Sequence, residues 1–383
     1  MKFIKINKLT LLPLLEAAVK FAGVPFTSVD KGVYEKDKSP VVRLVFSENI
    51  LEIQALNLTS GINLRLAIVN DDEATYLVPA RLLTEMISKC EEEEILLGLD
   101  KDHLVIKHSL AKTSLKEIED ENPTPPAKIP TYATCMSGEE FSHALSMVAF
   151  AALKDGSIRP NLNGVFVDLS ANKDLTLVAT DGVRLSIYSA QLDWTQIGRE
   201  SYEKAFILPL KTTTNLIACL AKETGKVKIG VNTDRFFIEW DNGYVFSNLV
   251  IGNFPDWKTV YPENSKTTIK FLNGFQNAVR AARVLASGSD RGVPRVAFDI
   301  TEERTLVKSE SDLGNSLIKL TPSIEGDSTL NISFNGDLLP DQILGEISVG
   351  LNAPNTPAIF ESSTAPGWRY LLMPVLAQQA KAG

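Results

Sequence analysis

The sequence is poor in the residues that carry redox and metal chemistry. Its 383 residues include three cysteines and three histidines. Cys90, Cys135 and Cys219 are odd in number and widely spaced, which argues against a disulfide framework and gives no zinc-ligand pattern. His103, His108 and His143 have no neighbour at metal-ligand spacing. The first two fall in a strand-like run, where a solvent-facing or singly paired imidazole is expected. No apolar run approaches the roughly 18–20 residues of a membrane helix. The N-terminal stretch MKFIKINKLTLLPLLEAAVKFAG is interrupted by Glu16 and Lys20 and leads to no small-residue cleavage site. It reads as a strand followed by an amphipathic helix, not as a signal peptide. A cytoplasmic protein without a membrane partner is expected.

Positive charge is also in deficit: 39 Lys and Arg stand against 47 Asp and Glu, a net charge of −8. On average such a surface disfavours phosphate, although the distribution of the charges decides. No Walker or dinucleotide loop, nucleophile elbow or Cys–His signature is found. Serines and aspartates are abundant without forming a catalytic constellation. The chain is therefore read as a non-enzyme with no cofactor, no metal and no catalytic residue.

What is present is repetition. At this length two or three domains are expected. Three segments read as amphipathic helices after a short strand: LLPLLEAAVKFA (11–22), EFSHALSMVAFA (140–151) and GFQNAVRAARVL (274–285). They begin at nearly even intervals along the chain, and Leu12, Phe141 and Phe275 share the second position. A second set comprises LVPARLLTEMISKC (77–90), ILPLKTTTNLIACLAK (207–222) and SFNGDLLPDQILGEI (333–347). Here Pro79, Pro209 and Asn335, again almost evenly spaced, mark the helix start. Alternating apolar runs broken by turn residues follow every helix, among them VVRLVFSENILEIQALN and RVAFDITEERTLVKSES. The pattern predicts an α+β fold of three similar domains, each made of two strand–helix–strands units. The Pro-rich ENPTPPAKIPT (121–131) and the polar YPENSKTT (261–268) place the cuts at 1–128, 129–262 and 263–383.

On this frame, four short segments complete a likeness that covers the whole chain. NLNGVFVDLS (161–170), VATDGVRLSIYSA (178–190), LVIGNFPDWKTVYP (249–262) and YLLMPV (370–375) stand in that order. The chain resembles the bacterial DNA polymerase III beta subunit, the sliding clamp family. The resemblance implies a DNA clamp fold: six similar units per chain, closed into a ring by a head-to-tail homodimer, helices toward the hole and sheets outside. It implies a processivity factor that encircles double-stranded DNA without sequence preference. Its implied protein partners are the DNA polymerase III alpha subunit, the clamp loader and other proteins with clamp-binding motifs.

The resemblance also implies sites. A partner-peptide pocket would use Leu162, Thr180, Gly182, Val183, Arg184, Leu185, Pro255, Val260, Met373, Pro374 and Val375. Asp181-Gly182 between apolar runs is in any case a hairpin turn signal. DNA-facing basic residues would be Lys8, Lys20, Arg81, Lys89, Lys154, Lys211, Lys222, Arg280 and Arg283. The last helix breaks that basic pattern with Asp337, Asp341 and Glu346, which either face outward or make this part of the hole less attractive to DNA. Glu91–Glu94 reads as a solvated loop away from the hole. The dimer seam falls by position on Thr113 and Leu115 on one side and Val284 and Leu285 on the other; the latter two would otherwise be core-facing helix residues. The chain departs from the family at Val183, where His or Tyr is common, at Thr259, at Leu338, around Asp290 and in the tail VLAQQAKAG. The alternative is a three-domain β-rich hydrolase or carbohydrate-active enzyme, with an acid pair such as Asp168 and Asp181. Helices repeated in every half-domain favour the clamp.

Overall fold

The computed structural model describes residues 2–24, 39–108, 111–118, 125, 134–169, 174–191, 205–262, 264–288, 293–327 and 329–375. Most of the 121–131 linker, Asp290 and the tail beyond Val375 lie outside the described residues.

The N-terminus shows how local sequence builds each unit. KFIKIN alternates, and strand β1 (Lys2–Asn7) buries Ile4 and Ile6. Asn7 then stops the strand: its Oδ1 accepts the Leu9 N–H at 2.7 Å and caps helix α1 (Lys8–Phe21). The helix thus starts ahead of the Leu11 read from the apolar pattern, because a cap, not an apolar residue, sets its first turn. Leu11, Leu15, Ala18 and Phe21, spaced three and four apart, form its buried face.

This strand–helix–three-strand unit recurs along the chain. In the first repeat, β2 (Val41–Ser47), β3 (Ile50–Leu56) and β4 (Ser60–Ala67) complete the opening unit. Then come β5 (Ala74–Pro79), α2 (Ala80–Lys89), β6 (Glu94–Asp100), β7 (His103–His108) and β8 (Ala111–Lys116). The second repeat holds β9 (Thr134–Ser137), α3 (Gly138–Ala149), β10 (Gly164–Asp168), β11 (Asp174–Thr180) and β12 (Arg184–Gln191). It continues with β13 (Ala205–Pro209), α4 (Leu210–Leu220), β14 (Lys226–Val231), β15 (Arg235–Trp240) and β16 (Gly243–Asn248). The third has β17 (Thr267–Phe271), α5 (Phe275–Ala286), β18 (Arg295–Thr301), β19 (Arg304–Ser311) and β20 (Gly314–Leu320). After β21 (Ser323–Gly326) it closes with β22 (Leu330–Asn335), β23 (Ile347–Leu351), β24 (Ala358–Ser362) and β25 (Ala365–Leu372).

The helix expected at 333–347 is not formed. Asn335 does cap a turn, accepting the Asp337 N–H at 3.0 Å, but the turn is a single 3₁₀ turn over Gly336–Leu338. Pro340 supplies no N–H to continue it, and Gly345 adopts a left-handed φ of 87°. Pro79 and Pro209, by contrast, stand immediately before α2 and α4, where a missing N–H costs nothing.

The described chain divides into two compact units, Met1–His143 with Leu192–Val250, and Ala144–Gln191 with Ile251–Gly383. In the first, one antiparallel sheet runs β1-β6-β7-β8 and a second runs β5-β2-β3-β4-β16-β15-β14-β9. Helices α1 and α2 each leave one sheet and return to the other, and they pack on one another. In the second unit, one sheet runs β20-β19-β18-β22, and β10-β11-β12 joins β25-β24-β23-β17-β21. Consecutive sequence repeats thus share sheets. The seam β4–β16 pairs Leu64 with Gly243, and the seam β12–β25 pairs Leu185 with Leu371.

Candidate functional site

The ATDG stretch is the turn between β11 and β12, and nearly every polar group in it is used. Gly182 has φ 94°, a conformation open to glycine. Thr180 Oγ1 donates to the Arg184 carbonyl at 2.5 Å and accepts the Gly182 N–H at 3.0 Å. Asp181 Oδ1 accepts the N–H groups of Val183 and Arg184 at 2.9 and 3.0 Å, and its Oδ2 takes the Arg184 guanidinium at 2.8 Å. Arg184 is largely buried, with its guanidinium 5.8 Å from the centre of the Phe150 ring. These bonds fix the turn and leave Val183 half exposed at its tip.

The C-terminal strand is locked to this turn. Beyond the Leu185–Leu371 pair, the Met373 N–H donates to the Val183 carbonyl at 3.0 Å. Met373 stays 42% exposed beside it. Below, Trp368 Nε1 donates to Ser186 Oγ at 3.0 Å and to the Met147 carbonyl at 3.1 Å. Tyr370 is fully buried and donates its hydroxyl to the Leu338 carbonyl at 2.6 Å. Burial raises the Tyr370 pKa well above that of a free phenol, against the lowering effect of Arg184.

The same sheet presents an apolar patch of Val178, Leu185, Ile187, Ile359 and Leu371, partly covered by Phe166, Phe254, Trp257 and Tyr261. Phe166 and Phe254 stack at 5.0 Å. The FPDW segment is shaped by Asp256, whose side chain accepts the Lys258 N–H at 3.2 Å and starts a 3₁₀ turn over Trp257–Val260. That turn lays Trp257 on the patch and leaves Pro255 and Val260 exposed. Asn161 Nδ2 donates to the Asn253 carbonyl at 2.8 Å, tying the LNG segment to the approach of FPDW. The side chain of Leu162 itself is buried.

The structure therefore brings the ATDG, FPDW and MP segments together around one apolar floor with exposed Val183, Val260 and Met373 on its margin. Leu185 belongs to the floor. Phe254, Trp257, Tyr261, Ile359 and Leu371 were not singled out from the sequence; the unbroken apolar runs AIF and YLL, consistent with strands buried on both faces, carried the signal for Ile359 and Leu371. The acid pair of the alternative reading is not formed. Asp168 pairs in register with Thr176, whereas Asp181 lies beyond Thr180, about five residues or ~17 Å further along the hairpin at ~3.3 Å per residue. Asp181 is moreover committed to its own turn.

The predicted basic residues separate into two groups. Lys20, Arg81, Lys89, Lys154, Lys211 and Lys222 are exposed. Lys8 instead donates to the carbonyls of Ser88 and Cys90, completing the C-terminal end of α2. Arg280 and Arg283 are ion-paired to Asp341, Arg280 with 48% of its side chain still exposed and Arg283 with 32%. Within the Glu91–Glu94 run, Glu92 pairs with His108 at 3.3 Å and Glu94 with Lys5 at 2.6 Å. At the expected seam, Thr113 lies on β8, Leu115 is buried, Val284 is 77% exposed and Leu285 is half-buried. Val284 is thus not a core residue.

Known proteins share the sequence pattern and the fold. Residues 136–256 match the sequence family "DNA polymerase III beta subunit, central domain". The beta sliding clamp homolog GriR of Streptomyces muensis is 25% identical over 321 residues, covering 80% of this chain and 83% of that protein. The beta sliding clamp of Vibrio cholerae is 23% identical, with 87% and 90% covered. The crystal structure of the DNA polymerase III beta subunit from Thermotoga maritima superposes with a TM-score of 0.84 at 24% identity, covering 98% of this chain and all of that one. The DnaN sliding clamp of Pseudomonas aeruginosa bound to griselimycin gives 0.82 at 20% identity, with 98% and 99% covered. In fold and in sequence the chain is thus similar to bacterial beta sliding clamps, and its residues 136–256 match the central domain of the DNA polymerase III beta subunit.

Proposed function

We propose that this chain is a DNA sliding clamp, a non-catalytic processivity factor that encircles duplex DNA and tethers replication and repair proteins. The observation that carries the reading is the assembled apolar site of ATDG, FPDW and MP on a frame of repeated strand–helix units. Its floor is a buried apolar cluster on one sheet, and its margin offers exposed apolar and thioether groups beside a few oriented polar ones, which suits a short linear peptide. The clamp of Pseudomonas aeruginosa, of the same fold, binds griselimycin. In this reading the partners are the polymerase alpha subunit, the clamp loader and other motif-bearing proteins, and the protein works in the cytoplasm.

The ring would consist of domains 1–128, 129–262 and 263–383, doubled by head-to-tail dimerisation. Two features support the seam. Strand β8 ends one sheet and β20 ends another, and such edges invite pairing with a second chain. Beside β8, a groove of about 400 Å³ is lined by Leu82, Met86, Ile106 and Thr113. Beside β20, the side chains of Val284, Leu313 and Leu317 are largely exposed. A heterologous contact of this kind closes into a ring.

Topology then does what affinity does not. A closed ring cannot leave a long duplex sideways, so a protein of net charge −8 can stay on DNA with only weak, salt-sensitive phosphate contacts. The test is retention. The protein, a dimer of 42.0 kDa chains in this reading, should remain on nicked circular DNA once loaded and slide off after linearisation. Equal retention on both forms would sink the topological mechanism.

A further inference from the structure

Two of the cations expected to face DNA are bound by the protein itself. Helix α5 presents Gln276, Arg280 and Arg283 at spacings of four and three, hence along one face. Gln276 Nε2 donates to the carbonyls of Ile343 and Gly345, both at 3.0 Å. Arg280 donates from Nε to Asp341 Oδ2 at 3.3 Å and from its terminal nitrogen to the Asp341 carbonyl at 2.7 Å. Arg283 meets the same carboxylate with two nitrogens, at 3.1 Å to Oδ1 and 2.8 Å to Oδ2. The Asp341 side chain is 9% exposed. This polar face grips the segment that takes the place of the sixth helix.

We infer that Asp341 withholds Arg280 and Arg283 from DNA, making the last half-repeat a brace instead of a phosphate-contacting surface, and so weakens the grip of the ring on its substrate. A mostly buried carboxylate in bidentate contact with one guanidinium and shared with a second holds both more firmly than a mobile phosphate in water can. Lys211 on α4 is exposed, and serves as the comparison for a cation left to the solvent. The inference rests on the clamp reading but fails separately from it.

The experiment measures the salt dependence of equilibrium binding of the full-length protein to a short linear duplex, where no topological link holds the ring. The Lys211→Ala variant should lower the slope of log affinity against log salt by about 0.9 for each phosphate it no longer neutralises. Arg280→Ala and Arg283→Ala should leave that slope at the wild-type value. Asp341→Asn, which keeps the shape but removes the charge, should steepen the slope by about one to two and raise the salt needed for release. A drop in slope for Arg280→Ala or Arg283→Ala equal to that of Lys211→Ala would overturn the inference. So would an unchanged slope in Asp341→Asn, provided circular dichroism shows it folded. If Asp341→Asn does not fold, the two arginine variants decide alone. Failure of the wild-type protein to distinguish circular from linear DNA would count against the clamp reading instead.

Discussion

Asp181 is the residue on which the turn depends, because one carboxylate accepts two backbone N–H groups and a guanidinium. Asp-Gly between apolar runs made the turn legible from sequence, and Thr180 and Arg184 proved to be its other polar members. The floor beneath was less legible. Leu371 and Ile359 reach Leu185 only through the pairing of β12, β25 and β24, and a pairing between distant strands leaves no local trace. Residues of one site therefore differ in kind. Replacing Leu185 by Ala removes packing from the floor and should lower stability by about 2–5 kcal/mol, seen as a reduced midpoint in urea. Met373→Ala trims an exposed side chain and should leave that midpoint in place while weakening a polymerase-tail peptide by about tenfold, or roughly 1–2 kcal/mol, in fluorescence anisotropy. A variant at Met373 with wild-type peptide affinity would place the docking site elsewhere.

At the scale of elements, five of the six expected helices occur among the described residues. Their apolar spacing and their strand-to-helix junctions were readable because both are local. The sixth carried the right cap, Asn335, and failed at Pro340, within the next few residues. Pro340 was visible in the sequence, but the interval between repeats masked its meaning. The segment keeps its place through α5, so the cost of removing that grip is open to measurement. Gln276→Ala removes two hydrogen bonds to backbone carbonyls and should destabilise by about 1–3 kcal/mol, with hydrogen exchange rising first at residues 341–346. Unchanged exchange there would mean that the arginines alone hold the segment.

For the molecule as a whole, buried acids set the alkaline limit of stability. Burial pushes the half-buried Cys219 thiol on α4 up to about 11, against the lowering effect of Lys20. Burial raises the Tyr370 phenol further still. Both groups keep their protons in the folded chain at pH values where the unfolded chain has released them. Their contribution is therefore complete below about pH 8.5, where an unfolded thiol still holds its proton, and declines as pH rises through 11. Chemical denaturation should show a plateau to about pH 8.5 and then a fall. Cys219→Ala should remove the first part of that fall; an identical profile in the variant would assign it to other groups.

The sharing of sheets between repeats bears on how such a chain can be divided. The sequence runs through its pattern three times, yet β4 finds its partner in β16 and β12 finds its partner in β25. A single repeat cut out at its linkers would carry one or two long strands with a bare row of N–H and C=O groups. Such an excised piece would associate through those edges instead of folding alone, so the unit of sequence repetition and the unit of cooperative folding do not coincide in this protein.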